Sequence, residues 1–177
     1  MDTNRLKLGI IFNFNPSWMG GIIYILNLIR TLNFLDEDEK PEIVLFYRAD
    51  LKKFADQINY PHFTAVEWDF PDVYRGYIKS WLSGKNEFID KIITQYTLDG
   101  LYPVHDFPVR TKSHTKLVCW YADLQHKHYP GFFRKRKLLE RSMRIRFIIK
   151  NSDSLVLSSQ AVKDDFRKFF RLDDRMD

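Results

Sequence analysis

Short, nearly unbroken apolar runs alternate along this chain with segments of helical period, and that alternation leaves few folds open. Residues 6–14 form the first run, in which Lys7 is the only charge. Such a run suits a strand covered on both faces of a parallel sheet. Asn15, Pro16 and Ser17 break it, and a helical pattern follows over 18–35. On that helix Gly20, Tyr24, Asn27 and Thr31 form one narrow polar stripe, which predicts burial on most sides. Residues 36–41 end it. A second strand is expected at 42–47 (EIVLFY), with Asp50 placed to cap a short helix that turns Leu51, Phe54, Ala55 and Ile58 to one face. A third strand is expected at 63–70, where Val66, Trp68 and Phe70 alternate.

The remainder repeats the theme. Two helical stretches carry Tyr74, Ile78, Trp81 and Leu82, then Phe88, Ile89, Ile92, Ile93 and Tyr96, with Gly100 placed to stop the second. Residues 101–104 read as a short strand and 117–121 (LVCWY) as a central one. A helix over 134–150 spaces Leu139, Met143 and Phe147 by four. The last strand is 154–157, after which Ser158 or Ser159 caps a helix burying Val162, Phe166, Phe169 and Phe170. Strands alternating with helices imply a doubly wound, Rossmann-like parallel α/β sheet with helices on both faces. The 177 residues suffice for one such domain, spanning 1–177.

Composition narrows the class. A chain that is 45% hydrophobic and 29% charged is globular rather than disordered. The single cysteine, Cys119, excludes a disulfide framework and fits a reducing compartment, so a cytoplasmic location is expected. Of the net charge of +5, residues 134–150 alone supply eight Lys or Arg against Glu140, a local +7 that leaves about −2 elsewhere. One basic segment, not a basic protein, needs explaining. No nucleic-acid motif accompanies it, so no nucleic acid is expected. Peripheral contact with anionic lipid at the inner face of a membrane is one reading, and a solvated helix face is the other.

In a doubly wound sheet, ligands bind beyond the carboxyl ends of the strands. Two loops there carry unusual chemistry. Residues 13–21 (NFNPSWMGG) place Gly20 and Gly21 at a helix start, where backbone N–H groups and the helix dipole favour a phosphate. Neither a G-x-G-x-x-G nor a P-loop pattern is present. Residues 123–133 (DLQHKHYPGFF) gather Asp123, Gln125, His126, His128 and Tyr129 beyond a strand end. Polar groups for hydroxyls beside aromatic faces for C–H surfaces suit a sugar or polyol, and His126 titrates in the range useful near a reacting hydroxyl. The competing reading makes Asp123 a loop cap and the aromatics hinge packing. No metal is expected: His126, His128 and Asp123 lack further ligands at defined spacing, since His105 and His114 stand in no regular relation to them. Asp36, Glu37 and Asp38 read as a solvated turn, and mid-strand Cys119 as inert.

These residues resemble a known family. Gly20-Gly21-Ile22-Ile23-Tyr24 with Asn27-Leu28 looks like the first βα unit of GT-B glycosyltransferases. Asp123-Leu124-Gln125-His126-Lys127-His128-Tyr129-Pro130, followed by Phe132-Phe133, is similar to the D-[FL]-Q-H-x-x-x-P-x-[FY]-F segment of retaining, family-4-type sugar transferases of bacterial surface polysaccharide pathways. Residues 151–160 (NSDSLVLSSQ) resemble that family's A-D-x-V-I-V-x-S strand and following helix. Ala122 stands where relatives often carry Pro. The resemblance implies the N-terminal, acceptor-side domain of an enzyme moving sugar from a nucleotide sugar to a glycan or lipid-linked acceptor. It implies that Gly20 and Gly21 contact the donor diphosphate, that His126 and Asp123 act at the reacting hydroxyl, and that Gln125, His128 and Tyr129 hold the acceptor. It also implies that the nucleotide-binding C-terminal domain, with its Arg/Lys pair and Glu-x7-Glu motif, is absent, residues 171–177 falling near the expected linker. A stand-alone phosphosugar- or acceptor-binding module working with a partner subunit is the alternative.

Overall fold

The computed structural model describes residues 5–71, 73–104, 113–170 and 172, apart from the side chains at 73–75, 77 and 81. The expectations for Tyr74, Trp81, His105 and the run 173–177 lie outside the described residues. Among the described residues six strands form the sheet: β1 (Lys7–Phe12), β2 (Glu42–Tyr47), β3 (Phe63–Glu67), β4 (Gly100–Tyr102), β5 (Lys116–Tyr121) and β6 (Ser154–Leu157). All pair in parallel, in the order β3-β2-β1-β4-β5-β6. The chain therefore winds outward from β1 in one direction and from β4 in the other. The topological switch lies between them. The strand at 116–121, expected to be central, is an interior strand one place from the edge.

Helices α1 (Met19–Leu32), α2 (Lys52–Ala55), α3 (Val73–Ser83), α4 (Glu87–Tyr96), α5 (Gln125–His128), α6 (Lys135–Asn151) and α7 (Gln160–Phe170) complete the described elements, with short 3-10 turns before α2 and α6. One face of the sheet buries Ile10, Phe12, Ile43 and Leu45 against Ile22, Ile25 and Ile29 of α1 and Leu51 and Ala55 around α2. The other face buries Ile11, Val44, Phe46 and Leu101 against Ile89, Ile92 and Ile93 of α4 and Ile148 of α6. A side chain of this size stabilises by roughly 1.5–3 kcal/mol when fully buried. Toward the β6 edge, Leu124, Ile145, Val162 and Phe166 close a smaller cluster between α6 and α7.

Several local expectations change in the structure. The exposed side of α1 is wider than the predicted stripe, since Met19, Ile23 and Arg30 join Gly20, Asn27 and Thr31 at the surface while Tyr24 turns half inward. Asp50 caps nothing; it pairs with Arg48, and no side chain caps α2. The α4 helix ends at Thr97 in the left-handed region (φ 47°), with its N–H bonded to the Ile93 carbonyl, whereas Gly100 opens β4. Ile78 and Leu82 of α3 stand exposed. On α6 the buried residues are Ile145 and Ile148; Leu139 and Met143 are 64% and 46% exposed, not part of the core. Ser159 does cap α7, its Oγ accepting from the Val162 N–H at 3.3 Å.

Candidate functional site

The switch between β1 and β4 is flanked at the strands' carboxyl ends by the loops after β1 and β5. The first loop is shaped by Asn15, whose side-chain oxygen accepts from the Ser17 N–H at 2.9 Å and the Ser17 hydroxyl at 2.7 Å. Its carbonyl accepts from the Trp18 N–H at 2.8 Å. This turn sets Trp18 at the N-cap of α1, where no side chain caps the helix and no acidic residue enters the first turn. The positive end of α1 is thus left for whatever occupies the crevice.

Trp18 lies over Trp120, the next-to-last residue of β5, with ring centroids 5.8 Å apart and planes within 17°. Trp120 also stacks on Tyr24 of α1 at 4.1 Å and 4°. Phe14 meets both indoles edge-on, at 5.2 and 6.3 Å. The Tyr24 hydroxyl shares a 2.5 Å hydrogen bond with that of Tyr102 on β4, and burial raises the Tyr102 pKa. The Trp120 indole N–H is buried with no partner, an arrangement that costs about 1–3 kcal/mol until some acceptor meets it.

Beside these rings lies a cleft of about 340 Å³, lined by Trp18, Trp120, Asp123, Gln125, Arg141 and Arg144 among others. The two arginines reach it because α6 returns antiparallel to the strands it connects, which carries its earlier turns toward the carboxyl edge of the sheet. The Arg141 guanidinium rests 4.8 Å over the ring of Phe133. Aromatic walls, a carboxyl, an amide and two guanidinium groups face one space large enough for one or two sugar rings.

The structure disperses the loop residues singled out from the sequence. Asp123 and Gln125 line the cleft. Asp123 also accepts the Gln125 N–H at 3.0 Å, so it serves as a loop cap as well. His126 is 1% exposed, is not a cleft residue, and has neither ring nitrogen paired. Burial pushes its pKa down to about 4, with Arg141 and Lys127 adding to the effect, so the ring is neutral near pH 7. His128 turns to α7, its Nε2 2.7 Å from the Asp165 carboxyl. Tyr129 is exposed beside Phe132. Gly20 lies on the surface, and a Cβ there would meet only Trp18, at 3.4 Å. Gly21 is buried; a Cβ there would come within 2.7 Å of the Trp18 ring and 3.1 Å of Phe14.

Sequence reasoning missed Trp18, Trp120, Arg141 and Arg144 as cleft residues. The available signals were an indole in the loop before α1, an indole at a strand's carboxyl end, and two arginines one helical turn apart. Among the described residues no group of three His, Cys, Asp or Glu could hold a metal ion. Glu37, between Asp36 and Asp38, is engaged by Arg5, Lys40 and His62 in an exposed turn. No described helix is long and apolar enough to cross a membrane.

Fold and cleft define the class as a doubly wound, Rossmann-like α/β protein with a ligand-sized crevice beyond its strand ends. Compared with protein-family models, with curated proteins and with solved structures, the chain matches none.

Proposed function

We propose that this domain is the acceptor-side, N-terminal half of a retaining glycosyltransferase that moves a sugar from a nucleotide sugar to a glycan or lipid-linked acceptor. The observation that carries this reading is the cleft itself, with Trp18 and Trp120 beside Asp123 and Gln125 at the switch of the sheet. The half-exposed Trp18 indole, backed by Trp120, covers the C–H side of a pyranose, while carboxyl and amide oxygens accept from its hydroxyls. Arg141 and Arg144 suit a phosphate or carboxylate carried by donor or acceptor. In the transfer, the bond from the anomeric carbon to the leaving diphosphate breaks and a bond to the acceptor oxygen forms on the same face. The acceptor's proton passes to the departing phosphate, so no histidine base is required. Asp123 orients the acceptor hydroxyl. Gly20 leaves the start of α1 open to the donor diphosphate, and the nucleotide is held by a second domain in a longer chain or a partner subunit.

One observation favours the second reading, a binding module without chemistry of its own. Of the two residues assigned to the reacting hydroxyl, only Asp123 lines the cleft, and His126 is sealed away from it.

The test is sugar transfer from a panel of nucleotide sugars by the native gene product purified from its source cell. The transferase reading expects transfer with retained anomeric configuration, a fall of roughly 100-fold in Asp123→Ala, and a small change in His126→Gln. Saccharide binding without turnover would favour the module. Neither binding nor turnover would overturn both.

A further inference from the structure

The α6 helix has two chemically distinct sides. Ile145 and Ile148 face the sheet, and Arg141 and Arg144 line the cleft. By helical geometry the opposite side is one continuous stripe of Lys135, Arg136, Leu139, Met143, Arg146 and Lys150. Every one of these is exposed, and none is acidic. Glu140, the single carboxylate between residues 134 and 150, lies off the stripe and pairs with Lys137 at 2.9 Å. Just before the helix, Phe132 is 85% exposed and Tyr129 58%. Two large aliphatic side chains thus stand in water within a ring of four cations.

Solvent alone does not account for that combination. A purely solvated face gains only helix propensity and a weak i,i+4 contact from Leu139 and Met143, and a phosphodiester backbone would be met better by polar donors in their place. A bilayer of anionic lipid suits all six residues at once. Lys and Arg lay their methylene stems along the interface and place their charges among the headgroups, while Leu and Met enter the acyl boundary. We propose that this side of α6, with Phe132 at its approach, docks the protein on an anionic membrane surface. The docking side and the cleft belong to one helix, so a docked molecule holds its cleft close to the headgroups. This goes beyond sugar transfer and stands whether or not the cleft performs it.

The test is co-sedimentation of the 177-residue chain with vesicles of phosphatidylcholine, alone or with about one-third phosphatidylglycerol. The wild type is expected to sediment with the anionic vesicles at low salt, weakly at high salt, and not with neutral ones. Replacing the four cations (Lys135→Gln, Arg136→Gln, Arg146→Gln, Lys150→Gln) is expected to lower partitioning roughly 100-fold or more. The pair Leu139→Ser and Met143→Ser, which leaves the charge intact, is expected to lower it about tenfold. All six sites are exposed, and circular dichroism checks that each variant remains folded. Equal partitioning to both vesicles, unchanged partitioning of the four-fold variant, or retention on duplex DNA without vesicle binding would overturn the proposal.

Discussion

Trp18 and Trp120, brought together over the switch of the sheet with their rings within 17° of parallel, join the loop after β1 to the end of β5. The pair ties architecture to chemistry, since the same two indoles pack the top of the domain and wall the cleft. Their shares in each task differ. Trp120 is buried between Tyr24 and Trp18, whereas Trp18 is 44% exposed. Trp120→Ala is therefore expected to cost about 4 kcal/mol of stability, and Trp18→Ala about 1 kcal/mol with a roughly tenfold loss of saccharide affinity. Urea midpoints and a binding titration separate the two; equal losses of stability would contradict the division.

The two glycines at the start of α1 serve different ends. Gly20→Ala places a methyl in ordinary contact with the Trp18 ring and lowers the entropy of the unfolded chain, so stability should stay level or rise by up to about 1 kcal/mol. Gly21→Ala forces a methyl against the Trp18 ring and should cost about 2 kcal/mol, with a change in the indole fluorescence. Matching urea curves for the two variants would show that Trp18 moves aside freely.

Burial of His126 makes stability depend on pH. Its pKa is pushed down to about 4 in the fold, below the usual value near 6.5, so the unfolded chain binds more protons between those limits. The stabilisation is complete above pH 6.5 and is lost as pH falls toward 4, by up to about 3 kcal/mol. His126→Phe should flatten the slope of urea midpoint against pH in this window. An unchanged slope would place the titrating group elsewhere.

Cys119 should be inert in the folded protein. It is 2% exposed, its thiol donates to the Val104 carbonyl, and burial pushes its pKa up to about 12. Iodoacetamide at neutral pH should label it only after unfolding. Rapid labelling without denaturant would mean that β5 opens in the native state.

The sheet was legible because strand burial is written into contiguous apolar runs: the strands expected at 42–47 and 154–157 match β2 and β6 to the residue. The strand expected at 63–70 stops at Glu67, although Val66, Trp68 and Phe70 do all pack toward one cluster. Capping was less legible, because a cap depends on where the backbone turns. Thr97, not Gly100, takes the left-handed turn, and Asp50 finds Arg48 nearer than any helix start. The inward face of α6 was not legible for another reason. The helix bears two apolar stripes, and only tertiary contact with Leu124, Val162 and Phe166 decides that Ile145 goes inward rather than Leu139 or Met143. The cleft was half legible. Asp123 and Gln125 could be placed beyond a strand end, but the meeting of Trp18 with Trp120 required the loop after β1 to fold onto the end of β5, far along the chain. The burial of His126 followed from a four-residue helix turning its ring inward, which no spacing rule announces.

The central claim is that a saccharide enters between these loops, and the indole N–H resonances of the protein report on it directly. Trp68 lines a separate cavity of about 430 Å³ beside α3 and α4 and serves as an internal control. On titration with nucleotide sugars and with phosphorylated or neutral oligosaccharides, the Trp18 and Trp120 resonances should shift together and saturate while Trp68 stays fixed. Movement of Trp68 alone, or no saturable shift at Trp18 and Trp120 with any of these ligands, would contradict the account.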